Sequence, residues 1–155
     1  MEHEGGRNGS LSLMTKLEGI ERACRERGLR MTGPRRVVAR VIADMDDHPD
    51  VRELHRRAAA IDGRISLATV YRTMKRFEDL GIIERHAFRD GPARYEGKPT
   101  MHHDHLIDLT TGRVIEFHSE EIERLQAEIA LRLGYQLVGH RLELYAEPVS
   151  VAAAG

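Results

Sequence analysis

The sequence predicts an α+β chain in two parts: an N-terminal winged helix-turn-helix, then a C-terminal α/β domain whose strands flank one long helix. Three observations predict it. Four helical stretches, separated by glycine and Asp-Gly stops, fill residues 15–80, and two short β-like runs follow at 82–88 and 93–96. A segment rich in punctuation, 97–100, then interrupts the pattern and reads as a hinge. Beyond it apolar residues alternate with a period of two, except for one helical run that ends near residue 133. At 155 residues the chain can hold two small domains.

Residues 1–14 show no period and are expected to form a flexible tail. A first helix is expected over 15–27, stopped by Gly28. Thr32 should cap the second, with Pro34 tolerated in its first turn, and Val37, Val38, Val41 and Ile42 recur at helical spacing until about Met45. The third helix takes 51–61, with Leu54, Ala58 and Ile61 on one face and Asp62-Gly63 as the break. Ser66 should cap the fourth, which turns Leu67, Val70, Met74, Phe77 and Leu80 inward. Arg89-Asp90-Gly91-Pro92 joins the two β-like runs as a hairpin. The winged domain therefore spans 15–96. The second domain, 101–147, should contain strands at 102–109 and 113–117, a helix capped by Ser119 that runs to 133, and a last strand at 136–145; 148–155 reads as a second tail.

Hydrophobic residues make up 41% and charged residues 32%, the balance of a globular chain. No apolar run approaches the roughly 20 residues of a bilayer span, and the N-terminus lacks a leader's apolar stretch. A cytoplasmic protein without a membrane partner is expected. The single cysteine, Cys24, can form neither an internal disulfide nor a thiolate-rich zinc cage, and its helical neighbours mark it as core. The net charge of −1 hides an asymmetry. Residues 16–94 carry 18 Lys and Arg against 13 Asp and Glu, while 95–155 carry 5 against 10. A basic half fits a polyanion; an acidic half fits cations.

The fourth helix presents Thr69, Arg72, Thr73, Lys75 and Arg76 opposite its apolar face, with Tyr71 near its start. The second helix of a helix-turn-helix enters the major groove N-terminus first. Tyr71 and Arg72 then stand where base edges are read, and Lys75 and Arg76 where phosphates are met. Arg30, Arg35 and Arg36 could add backbone or minor-groove contacts.

Nine histidines are present, three of them in His102-His103-Asp104-His105. On a strand, neighbouring side chains point to opposite faces, so His103 and His105 share one face and His102 and Asp104 the other. A two-residue turn at Thr111-Gly112 would pair Ile107 with Glu116 and put Glu116 on the His103/His105 face. Nitrogen and oxygen donors of this kind suit Fe(II), Mn(II), Co(II) or Zn(II). His102 and Asp104 need partners from elsewhere, and Glu123 and His140 are candidates. His118, His55 and His86 read as bystanders at the surface, and His3 lies in the tail. Two histidines and a carboxylate also resemble the facial triad of oxygenases, but too little chain remains for a substrate pocket, so no small-molecule substrate is expected.

The segments GLRMTGPRR (28–36), SLATVYRTMKRFEDLGII (66–83), RYE (94–96), HHDHLID (102–108), GRVIEF (112–117) and LVGHRLELY (137–145) resemble, in order and spacing, those of the ferric uptake regulator family. The resemblance covers nearly all of 15–147. It implies a homodimer, with the C-terminal domain as its dimerisation domain, that binds operator double-stranded DNA when loaded with metal and represses metal-uptake genes. It implies a regulatory site of His48, Glu96, His103, His105 and Glu116, and a second site of His102, Asp104, Glu123 and His140. It implies Tyr71 and Arg72 as base readers and Arg30 as a minor-groove contact. Many members carry two CxxC pairs that hold a structural zinc. Here the first pair's positions are Asp108 and Thr111, so the chain resembles the subset without that zinc. Fe2+ is the expected metal, a manganese-responsive member is the alternative, and Mn2+ or Zn2+ could fill the same sites.

Overall fold

The computed structural model describes residues 5–89, 91–98 and 101–150. The chain divides between Lys98 and Pro99 into two compact units.

In the first unit, α1 (Gly5–Glu26), α2 (Gly33–Asp44), α3 (Val51–Ile61) and α4 (Leu67–Asp79) precede the antiparallel pair β1 (Ile83–His86) and β2 (Arg94–Gly97). Three helix starts follow directly from local chemistry. Thr32, Asp50 and Ser66 have extended backbones, and each side-chain oxygen accepts from the amide three residues on. Cys24, Leu29, Val38, Leu54, Val70, Met74, Phe77, Ile83 and Tyr95 belong to one buried cluster that ties all four helices to the wing. Gly81, at φ 69°, lets the chain turn from α4 into β1.

The expected tail at 1–14 needs correction, since α1 begins at Gly5 and overlaps most of it. The apolar stripe starts earlier than expected: Leu13, Leu17, Ile20 and Cys24 sit at helical spacing and are all at least partly covered. The glycines of 5–9 hid this, because glycine is a poor helix former. Residues 1–4, including His3, and 151–155 lie outside the described residues.

In the second unit, β3 (Asp104–Asp108) is central, with β4 (Val114–Phe117) antiparallel on one side and β5 (Glu143–Ala146) parallel on the other. The helix α5 (Glu120–Arg132) makes the crossover from β4 to β5, with Ser119 as its cap. The expected long last strand is reduced to four residues, because before Glu143 it bonds to β3 only through the Leu142 carbonyl. The hairpin register also differs from expectation. His105, not Ile107, pairs with Glu116, and Asp108 is joined to Arg113. The loop has four residues rather than two. The Asp108 carboxylate shapes it by accepting from the Thr110 amide at 2.8 Å and from the Thr111 hydroxyl at 2.7 Å, and Gly112 takes φ 75°. A shift of two leaves parity intact, so Glu116 keeps the face it was assigned.

Candidate metal centres and nucleic-acid surface

The second unit alone assembles one complete donor set. His102, Asp104, Glu123 and His140 each offer one ligand atom, all within 4.8 Å of one another. His140 Nε2 lies 3.0 Å from Asp104 Oδ1 and 3.0 Å from His102 Nε2; His102 Nε2 lies 3.3 Å from Asp104 Oδ1. Glu123 Oε1 is 3.5 Å from both imidazoles. Four ligands about 2.0–2.2 Å from a tetrahedral ion stand roughly 3.3–3.6 Å apart along the edges, so the spacing matches a first-row divalent ion. Asp104 is 1% exposed, and Asp104 Oδ2 and Glu123 Oε1 are buried without a hydrogen-bond partner among the described residues. Buried carboxylate oxygens without partners are costly, and a cation removes that cost.

The elements explain the convergence. Asp104 opens β3, and His102 lies two residues earlier on the same side. Glu123 is in the first turn of α5, where the helix dipole favours a carboxylate. His140 precedes β5, and its place beside β3 is fixed by the parallel pairing of β5 and by the His105 amide donating to the Leu142 carbonyl.

The opposite side of the same segment gathers the remaining expected donors of this unit. The His103 and His105 rings meet edge to face with centroids 4.9 Å apart. His103 Nε2 is 3.6 Å from Glu116 Oε1, and Glu116 sits directly across from the buried His105. His102 and His103 precede the strand proper, yet they separate as alternation requires: His103 meets His105 and Glu116, and His102 meets Asp104 and His140.

In the first unit, His48 and Glu96 are both buried, and Glu96 Oε2 lies 2.6 Å from His48 Nε2. The pairing across β1 and β2 places Glu96 opposite Glu84. The 48–49 segment is fastened to β2 by the Arg94 guanidinium, which donates to the His48 carbonyl, and by the Tyr95 amide, which donates to the Pro49 carbonyl. Two histidines read as surface residues are not. His86 Nε2 is hydrogen-bonded to Glu96 Oε1 at 2.7 Å and its side chain is 13% exposed. His55 is half-buried and bonds to the Ile65 carbonyl at 3.0 Å, tying α3 to the turn before α4.

On α4, Tyr71, Arg72, Lys75 and Arg76 are exposed and Thr69 is partly covered. Arg72 reaches toward the Thr69 hydroxyl, and Lys75 pairs with Asp79 at 3.0 Å. Thr73 departs from expectation: it is 5% exposed, and its hydroxyl donates to the Thr69 carbonyl. Arg30 is exposed before α2, with its carbonyl held by Arg35. Among the described residues no helix is long and apolar enough to cross a membrane.

The profile of the ferric uptake regulator family matches residues 26–145. The ferric uptake regulation protein of Rhizobium leguminosarum bv. viciae is 62% identical over 130 residues, covering 84% of this chain and 92% of that protein. The protein of the same name from Escherichia coli K12 is 41% identical, covering 79% and 84%. Among solved structures, a zinc-bound manganese uptake regulator is 61% identical with a TM-score of 0.76, over 84% of this chain and 98% of that one. The Vibrio cholerae ferric uptake regulator is 38% identical with a TM-score of 0.74, over 83% and 98%.

Proposed function

The chain belongs to the ferric uptake regulator family, whose members are metal-responsive transcription regulators and not enzymes, and on that premise we propose that it is a cytoplasmic repressor of metal-uptake genes that binds operator DNA as a metal-loaded homodimer. The observation that carries the reading is the set of nitrogen and oxygen donors on both sides of 102–105, with buried oxygens that lack partners on one side.

The proposed regulatory site takes His48 and Glu96 from the winged unit and His103, His105 and Glu116 from the C-terminal unit. Within each unit those donors already face one another. The second site uses His102, Asp104, Glu123 and His140. A bound divalent ion supplies positive charge and a fixed coordination geometry, with no chemical turnover. The five regulatory ligands, when engaged together, hold the winged unit in one orientation. The dimer's two α4 helices then meet successive major grooves, about 34 Å apart for half-sites one turn apart. Without all five engaged, the population spreads over orientations that miss this spacing. Tyr71 and Arg72 read bases, with Thr69 beside them, while Lys75 and Arg76 hold the backbone and Arg30 reaches the minor groove.

The partner surface for a second copy is the uncovered side of α5. No α5 residue is buried, and Leu125, Ile129, Leu131, Leu133 and Val138 are exposed. An apolar patch of this kind marks an association surface.

Fe(II) is the proposed metal: nitrogen and oxygen donors without thiolate suit it, and the ferric regulation proteins are similar over most of the chain. Mn(II) is the second reading, favoured by the 61% identity to a manganese uptake regulator. Separate anaerobic reconstitution with Fe(II), Mn(II) and Zn(II), followed by operator titration, ranks them. His103→Ala should lower metal-dependent operator affinity and leave folding intact. Equal affinity of His103→Ala and wild type at every metal concentration would refute the proposal.

A further inference from the structure

The wing contains a third histidine–carboxylate arrangement, which shares Glu96 with the proposed regulatory site and adds Glu84 and His86. Glu84, His86 and Glu96 lie on one face of the β1–β2 pair, because His86 pairs with Arg94 and Glu84 with Glu96. Glu96 is 4% exposed, and its two oxygens have different partners: Oε2 is 2.6 Å from His48 Nε2, and Oε1 is 2.7 Å from His86 Nε2. An ionised carboxylate only accepts, so His86 carries its proton on Nε2 and donates it to Oε1. Glu84 Oε2, at 3.6 Å from the same nitrogen, is beyond hydrogen-bond range, and its side chain is 46% exposed. The His86 ring is itself fixed by stacking on buried Phe88, at 5.6 Å between centroids and 10° between planes.

We propose that His86 is a positioning residue for the regulatory site: by occupying Glu96 Oε1 it locks the carboxylate so that Oε2, on the His48 side, is the oxygen offered to the metal. The inference rests on the assignment of His48 and Glu96 as regulatory ligands. Its logic is that of outer partners at metal sites, where a hydrogen bond to the second atom of a ligand sets its orientation and basicity, and loss of that bond costs 10–100-fold in affinity. The arrangement also gives the wing a direct link to the site. A strand of the winged unit, through His86, determines how a ligand on the adjacent strand is presented.

The test is a Mn(II) titration of the full-length chain, followed by electron paramagnetic resonance to count bound ions and report their ligand symmetry. Three variants are compared with wild type. His86→Phe keeps a ring against Phe88 and removes the donor; His86→Gln keeps a donor; Glu96→Gln removes the ligand. His86→Phe should weaken one of the bound ions by about 10–100-fold, with the ion count at saturation unchanged and the Mn(II) splitting altered. His86→Gln should stay close to wild type, and adding His86→Phe to Glu96→Gln should cause no further loss. Wild-type affinity in His86→Phe, equal loss in the phenylalanine and glutamine variants, or one ion fewer at saturation overturns the proposal. If His86→Phe does not fold, His86→Asn, polar but too short to reach Oε1, takes its place in the comparison. Failure of the underlying assignment is distinguishable, because then Glu96→Gln itself leaves the titration unchanged.

Discussion

Replacing Asp104 by asparagine separates the cost of the second site from its use. Asp104 is 1% exposed, with Oδ1 between two imidazoles and Oδ2 buried without a partner. A buried polar atom left unsatisfied costs about 1–3 kcal/mol, more when charged, so the metal-free protein gains nothing from the aspartate's charge. Asp104→Asn should therefore be no less stable than wild type in chelator. With metal the order reverses. At a metal concentration 100 times the wild-type Kd, the second site contributes about 2.7 kcal/mol. Losing an outer partner of a ligand costs 10–100-fold, so losing an anionic ligand costs at least about 100-fold. At the same metal concentration the variant then retains about 0.4 kcal/mol. The expected deficit is about 2.3 kcal/mol, present only with metal. Amide hydrogen exchange across β3, where the His105 and Asp108 amides are bonded within the sheet, reads this locally. A variant that is strongly destabilised in chelator, or that keeps the full metal-induced protection, refutes the reasoning.

Three further outcomes are expected. Arg72→Ala should cost about 1–3 kcal/mol of operator affinity and relax specificity at one position, whereas Lys75→Ala, already paired with Asp79, should lower affinity slightly and equally on all sequences; salt-titrated gel shifts tell the two apart. Glu53 is held down to about 2, from 4.5, by hydrogen bonds from Arg56 and then Arg57, so its contribution is present above pH 4.5 and is lost as pH falls toward 2. Glu53→Gln should cost under about 1 kcal/mol in urea unfolding at pH 7, because the pair is partly solvated, and the gap should close on acidification; a gap that widens contradicts the sign. Leu125→Asp, at an α5 side chain 52% exposed, should leave the fold intact and shift sedimentation toward monomer, and an unchanged dimer would remove α5's apolar side from the interface.

The helices were legible because their signals are local. Asp50 and Ser66 announce α3 and α4 by caps that act three residues ahead, and Gly28 and Gly81 end α1 and α4 by a backbone conformation few other residues adopt. The ligand parity around 102–105 was legible for a different reason. A strand's period of two survives any even change in loop length, so the Asp108-shaped loop moved the register without moving Glu116 to the other face. Non-local facts were not legible. Nothing in 136–141 says that its backbone pairs with no strand, since that depends on where β5 joins β3 in parallel. Nor does the β1 sequence say that the 48–49 segment covers its His86 face, which is why His86 read as exposed. Asp108 and Thr111 bond to each other, closing the β3–β4 turn with a carboxylate and a hydroxyl.

The central claim is that metal, held by these histidines and carboxylates, makes the winged unit competent to bind DNA. Operator affinity measured by fluorescence anisotropy, first in chelator and then across an anaerobic Fe(II) or Mn(II) titration, tests it most directly. The account predicts weak, salt-sensitive, sequence-indifferent binding in chelator and tight, specific binding once the regulatory ligands are filled. Specific binding of the same strength in chelator and in metal would contradict it.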